Sequence, residues 1–76
     1  MEFIEINAKI MLGKPVIKGT RISVEHIISL LSQGITIDEI LIEYKGLKKE
    51  QILACLEYAK KMLDTTFTFD LDKIAS

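Results

Sequence analysis

Few residues in this chain of 76 have the types and spacing that chemistry needs. Lys14, Lys18 and Arg21 fall in a stretch punctuated by Gly13, Pro15 and Gly19. Rigid proline and permissive glycine shape a loop that can aim cations where a flexible tail cannot, so these three form a candidate phosphate-contacting strip. Arg21 has a second, structural reading: its planar fork can tie the loop to a helix-end carbonyl, to Glu25 or to another carboxylate. A second set, Lys48, Lys49 and Gln51, stands where a helix is expected to begin. Lysines there can neutralise phosphates and Gln51 can reach a base edge, against the plainer reading of a solvated helix surface.

Other chemistries find little support. His26 is the only histidine and Cys55 the only cysteine, too few for the three or four ligands of a usual zinc site. No Ser/His/Asp or Cys/His set and no phosphate-cradling glycine motif is present. Glu39 and Glu43 lie one helical turn apart, which on a solvated face carries no chemistry. The expectation is therefore a non-enzyme with no metal, cofactor or small-molecule substrate. Tyr44 and Tyr58 can stack on bases or sit at an interface, but packing with a hydrogen-bonded hydroxyl is the preferred reading.

The net charge of −1 gives no bulk preference for nucleic acid, yet the charge is polarised. Residues 9 to 21 carry Lys9, Lys14, Lys18 and Arg21 with no acid, while residues 62 to 76 carry Asp64, Asp70 and Asp72 against Lys73 alone. Hydrophobic residues make up 49% of a chain too short to bury them all, so a homodimer or a protein complex is expected to cover the surplus. A lone cysteine, the absence of an apolar run of membrane-spanning length and the lack of a signal region point to the cytoplasm and away from the membrane.

The elements that must hold these residues are legible in outline. Residues 2 to 6 read as a short strand, with β-type Val16, Ile17 and Ile22 around a turn at Lys18-Gly19. Ser23 is a good N-cap for a helix whose face is Val24, Ile27, Ile28 and Leu31, with Gly34 as its stop. Thr36 and Glu39 have capping-box spacing before Ile37, Ile40, Leu41 and Tyr44. Lys45-Gly46 makes a break, with Gly46 expected in the left-handed conformation and Leu47 plugging the corner. A third helix is expected from about residue 48 or 49 to 63, with Ile52, Cys55, Leu56, Ala59, Met62 and Leu63 on one side. Helix, three-residue turn and helix over 36 to 63 fit a helix-turn-helix layout, which places Lys48, Lys49 and Gln51 outward.

The run Ile10-Met11-Leu12-Gly13-Lys14-Pro15-Val16-Ile17-Lys18-Gly19-Thr20-Arg21-Ile22-Ser23-Val24 resembles the signature of the family known as domain of unknown function 433. Gly34, Asp38-Glu39, Ile40, Tyr44, Leu47 and Leu56-Glu57-Tyr58-Ala59 resemble its later landmarks, so the likeness covers about residues 3 to 60. The resemblance implies a mainly α fold, a trihelical, homeodomain-like or winged-helix-like bundle with short N-terminal strands. It also implies an antitoxin that binds operator DNA and neutralises a ribonuclease toxin of PIN-like fold. An orphan transcriptional regulator and a pure protein-interaction module are the alternatives. Two positions depart from the pattern: Lys45 stands where a proline is common, and Lys48 where a threonine is. The missing threonine weakens a helix cap, and two lysines there oppose the helix dipole unless an anion is near.

Given such a partner, residues 1 to 63 form the helix-turn-helix-like domain and residues 64 to 76 a strand-like C-terminal arm. Phe67, Phe69 and Leu71 alternate with polar residues and suit strand addition to a toxin's sheet edge, while Asp70 and Asp72 can meet cations around a nuclease site. The arm can instead pack on its own monomer or pair across the homodimer.

Overall fold

The computed structural model describes residues 2–67. In chain order they form β1 (Ile4–Glu5), β2 (Val16–Ile17), α1 (Val24–Ser32), α2 (Ile37–Glu43) and α3 (Lys49–Phe67). The fold is mainly helical, three helices beside one two-stranded antiparallel sheet, with Ile4 paired to Ile17 and Glu5 to Val16. The sheet precedes all three helices.

The loop between the strands and α1 is held by its own polar groups. The Lys18 N–H donates to Phe3 O at 2.8 Å, Ile17 N–H to Ile22 O and Val24 N–H to Pro15 O, both at 2.9 Å. Within the turn, the Thr20 hydroxyl donates to Ile17 O at 2.8 Å and accepts the Ile22 N–H at 3.0 Å. Gly19 has φ +83°, a left-handed backbone that a side chain would strain. Upstream, Met11 and Leu12 adopt φ of 52° and 58° ahead of Gly13. Two non-glycine residues in this region store about 1 to 3 kcal/mol of strain each.

Ser23 caps α1, its hydroxyl accepting the His26 N–H at 3.0 Å. The helix ends at Gly34 (φ +90°) in a Schellman arrangement, with Ile35 N–H donating to Leu30 O and Gly34 N–H to Leu31 O. Thr36 and Glu39 form the full reciprocal capping box of α2. The break after α2 is built differently from expectation. Gly46 does not take a left-handed conformation; Tyr44 ends the helix with φ −110° and ψ 81°, and a Leu47 N–H to Tyr44 O bond closes the turn. Five residues rather than three therefore separate α2 from α3.

The core joins Ile4, Ile17, Val24, Ile27, Ile40, Leu47, Ile52 and Cys55, all buried. Leu47 plugs the corner and Cys55 sits inside, in line with their sequence context. Burial pushes the Cys55 thiol up to about 11 from its ordinary value of 9.0. Because the folded pKa is the higher one, this group's contribution to stability is intact below about pH 9 and is lost as pH rises towards 11. Alkylation at neutral pH is expected to track unfolding by denaturant; fast modification of the native chain would contradict that burial.

Three residues expected inside α3 lie outside: Leu56, Met62 and Leu63 are 40, 51 and 56% exposed. Ile52 and Cys55 define the buried seam, and Leu56 is rotated off it. Met62 and Leu63 lie where a helix of 19 residues has outrun α1 and α2, which have 9 and 7. α3 also continues through Phe67, so residues 65 to 67 are helical, not extended, and the expected domain boundary after residue 63 falls within a helix. Phe69, Asp70, Leu71 and Asp72 lie outside the described residues. Among the described residues no helix is long and apolar enough to cross a membrane.

Candidate nucleic-acid interface

Three lysines converge on the corner between α2 and α3. Lys45 stands in the turn, Lys48 at the N-cap of α3 and Lys49 at its first helical residue; all are exposed. None has an ion-pair partner among the described residues. Lys45 was not named as a DNA contact from sequence, although the lysine in place of a proline was a signal there.

Gln51 is used by the fold. Its Oε1 accepts the Lys48 N–H at 2.7 Å, one half of a capping box. The other half is absent because an ammonium has no acceptor to offer the Gln51 N–H. Bidentate readout of adenine needs both ends of the amide, and in this conformation one end is taken. Lys48→Thr is expected to complete the box and raise stability by about 0.5 to 1 kcal/mol, readable as a higher urea midpoint at unchanged m-value. An unchanged midpoint would mean that the Gln51 contact is not a working cap.

Acids also stand on the outward face of α3, from its first turn onward. Glu50, Glu57 and Asp64 recur at seven-residue intervals, all exposed. Lys61 Nζ lies 3.8 Å from Glu57 Oε1. With Glu2 and Phe3, Glu50 and Glu57 line a shallow groove of about 380 Å³ beside Leu53. Lys60 and Lys61 balance Glu57 and Asp64 further along the helix, so the excess of positive charge is confined to the Lys45, Lys48 and Lys49 corner.

The loop cations divide. Lys14 and Arg21 border one open groove of about 560 Å³ against α1, whereas Lys18 lies outside it. Lys14 Nζ pairs with Glu25 Oε1 at 3.1 Å, an exposed contact worth at most about 1 kcal/mol. Glu25 thus meets Lys14 rather than Arg21, and Arg21 has no hydrogen bond or ion pair among the described residues. The structural reading of Arg21 fails because the loop is locked by Thr20 instead, a role that the Gly-Thr-Arg block carried without its being assigned.

The floor of the same groove holds a pair not anticipated from sequence. His26 Nε2 and Tyr44 Oη are 2.9 Å apart, with the rings edge-to-face at 6.2 Å and 88°. Tyr44 is half-buried with its hydroxyl bonded, the preferred sequence reading. Glu39 is likewise occupied: its carboxylate accepts the Thr36 N–H at 2.9 Å, and that bond, followed by the Thr36 side chain, holds its pKa below the ordinary carboxylate value. Among the described residues no group of three His, Cys, Asp or Glu is placed to hold a metal ion.

No curated protein and no solved structure matches this chain. The model of one family, described as protein of unknown function (DUF433), matches residues 4–59. That span runs from β1 to Ala59 in α3, and it contains both the locked loop and the lysine corner. The chain belongs to the DUF433 family.

Proposed function

We propose that this chain is an antitoxin-type regulator that binds operator DNA as a homodimer and captures a ribonuclease toxin of PIN-like fold. The observation that carries the DNA part is the cluster of exposed, unpaired Lys45, Lys48 and Lys49 at the junction of α2 and α3. Cations at the amino end of a helix oppose its dipole, so their natural complement is an anion held against the corner. In a homeodomain-like reading, α2 crosses the DNA backbone and the start of α3 meets phosphates, with Lys18 and Arg21 as further contacts. The toxin is what the resemblance to antitoxins implies, and the acidic, apolar sequence from residue 64 onward is the segment suited to it. A single buried thiol suits action in a reducing cytoplasm.

A second reading, a protein-interaction module that does not touch DNA, is favoured by one observation: α3 exposes Leu53, Leu56, Met62 and Leu63. Fluorescence anisotropy with labelled duplex from upstream of the chain's own gene, titrated across a range of salt, separates the two. DNA binding requires an affinity that falls steeply with salt and exceeds that for scrambled duplex. Absence of binding at low salt removes the DNA reading and leaves the interaction module.

A further inference from the structure

We infer that the exposed face of α3 is the homodimer interface, and that two copies pair there antiparallel with Leu53 opposite Leu63 of the partner subunit. The inference deepens the dimeric part of the reading above and shares only Lys49, at the end of the seam, with its DNA part.

Lys49, Leu53, Leu56, Lys60 and Leu63 follow one another at intervals of four, three, four and three residues, which is the spacing of a helix-pairing seam. Among the described residues nothing buries it. Leu53, Leu56 and Leu63 are 45, 40 and 56% exposed, and both lysines are exposed. The buried residues Ile52 and Cys55 face the core from another side of the same helix.

The charges select the occupant and its direction. Immediately beside the seam, one residue after Lys49, Leu56 and Leu63, run the acids Glu50, Glu57 and Asp64. A helix with lysines in its seam and acids on its flank is complementary to a second copy of itself. Parallel pairing would stack Lys49 on its own counterpart and Lys60 on its own, two like-charge layers in a desolvated seam. In the antiparallel register with Leu53 opposite Leu63, Lys60 lies across Leu56 of the partner subunit. Its four-carbon stem covers that leucine and its ammonium reaches Glu57 of the partner subunit. Glu57 is open to this contact, because its bond to Lys61 is long and exposed at both ends. The same register sets the two lysine corners about 27 Å apart along the helix axis at 1.5 Å per residue, comparable with the roughly 34 Å of one DNA turn.

Sedimentation equilibrium of the full chain at micromolar concentrations tests the assignment. The wild-type chain is expected to dimerise. Leu56→Lys places an ammonium against Lys60 of the partner subunit and is expected to raise the dimer dissociation constant about 10- to 100-fold. The substituted side chain is exposed, so circular dichroism should report the same helix content. Lys60→Glu should weaken the dimer, and Glu57→Lys in the same chain should restore it. A monomeric wild type, an L56K dimer of unchanged affinity, or a double variant weaker than K60E alone would overturn the assignment. Anisotropy on the same samples keeps the two readings apart: a dimer that ignores DNA leaves this interface standing and removes the operator reading.

Discussion

Ile52→Ala is expected to leave a large fraction of the chain unfolded at room temperature. Ile52 is fully buried at the start of α3 and belongs to the one cluster that joins α1, α2 and the sheet. Truncating a buried isoleucine to alanine costs about 2 to 5 kcal/mol, part from lost transfer energy and part from the cavity left behind. A domain of this size draws only roughly 3 to 5 kcal/mol from its core, so the two quantities are comparable. The effect should be read from urea unfolding followed by circular dichroism at fixed protein concentration, because dimerisation adds stability that depends on concentration. A loss below about 1 kcal/mol would mean that α3 is not packed by this residue. Leu53→Ala, on the exposed face, should cost far less in the monomer and so serves as the internal comparison.

The second large effect concerns DNA. Removing Lys45, Lys48 and Lys49 together should flatten the salt dependence of operator binding. Each neutralised phosphate contributes about −0.9 to the slope of log affinity against log salt, so three lysines in each of two protomers account for roughly −5. A protein with six such contacts loses about a thousandfold in affinity between 50 and 200 mM salt. The triple alanine variant should keep only the slope that Lys18 and Arg21 supply, roughly −4 at most for two residues in each of two protomers, and should bind more weakly throughout that interval. Exposed lysines contribute little to the fold, so an unchanged melting curve is part of the expected result. If the triple variant retains the wild-type slope, the corner is not the phosphate site, and Lys18 and Arg21 become the groups to replace next. Gln51→Ala is a less direct probe than its position suggests, because the substitution also removes the bond to the Lys48 N–H.

Much of the local structure was legible because its causes are local. Ser23, Gly34 and the Thr36 to Glu39 box mark helix ends through hydrogen bonds spanning three to five residues, and each acts as its type and spacing foretell. Leu47 and Cys55 declare their burial by the apolar periodicity around them. The loop's need for a left-handed residue at Gly19 was likewise readable from residue type. Its lock was not: Thr20 matters because Ile17 and Ile22 come within reach of one hydroxyl, a juxtaposition that exists only after the turn has formed.

The errors at α3 have two physical causes. Strict alternation from residue 65 onward predicts an extended arm, yet the helix runs on to Phe67. Propagating a helix adds one backbone hydrogen bond for each residue fixed, so an established helix of this length can carry residues whose pattern favours a strand. The same periodicity predicts that Leu56, Met62 and Leu63 are buried, because a sequence records that a face is apolar and not whether anything stands opposite it. By itself the sequence determined the helix ends, the turn chemistry and the inward residues near the middle of each element, since these depend on neighbours along the chain. Only the tertiary structure decided that Glu25 meets Lys14 and not Arg21, that Gln51 is held by a cap, and that α3 is exposed from residue 60 to residue 64. Those outcomes depend on the lengths and placement of separate elements, which no local window contains.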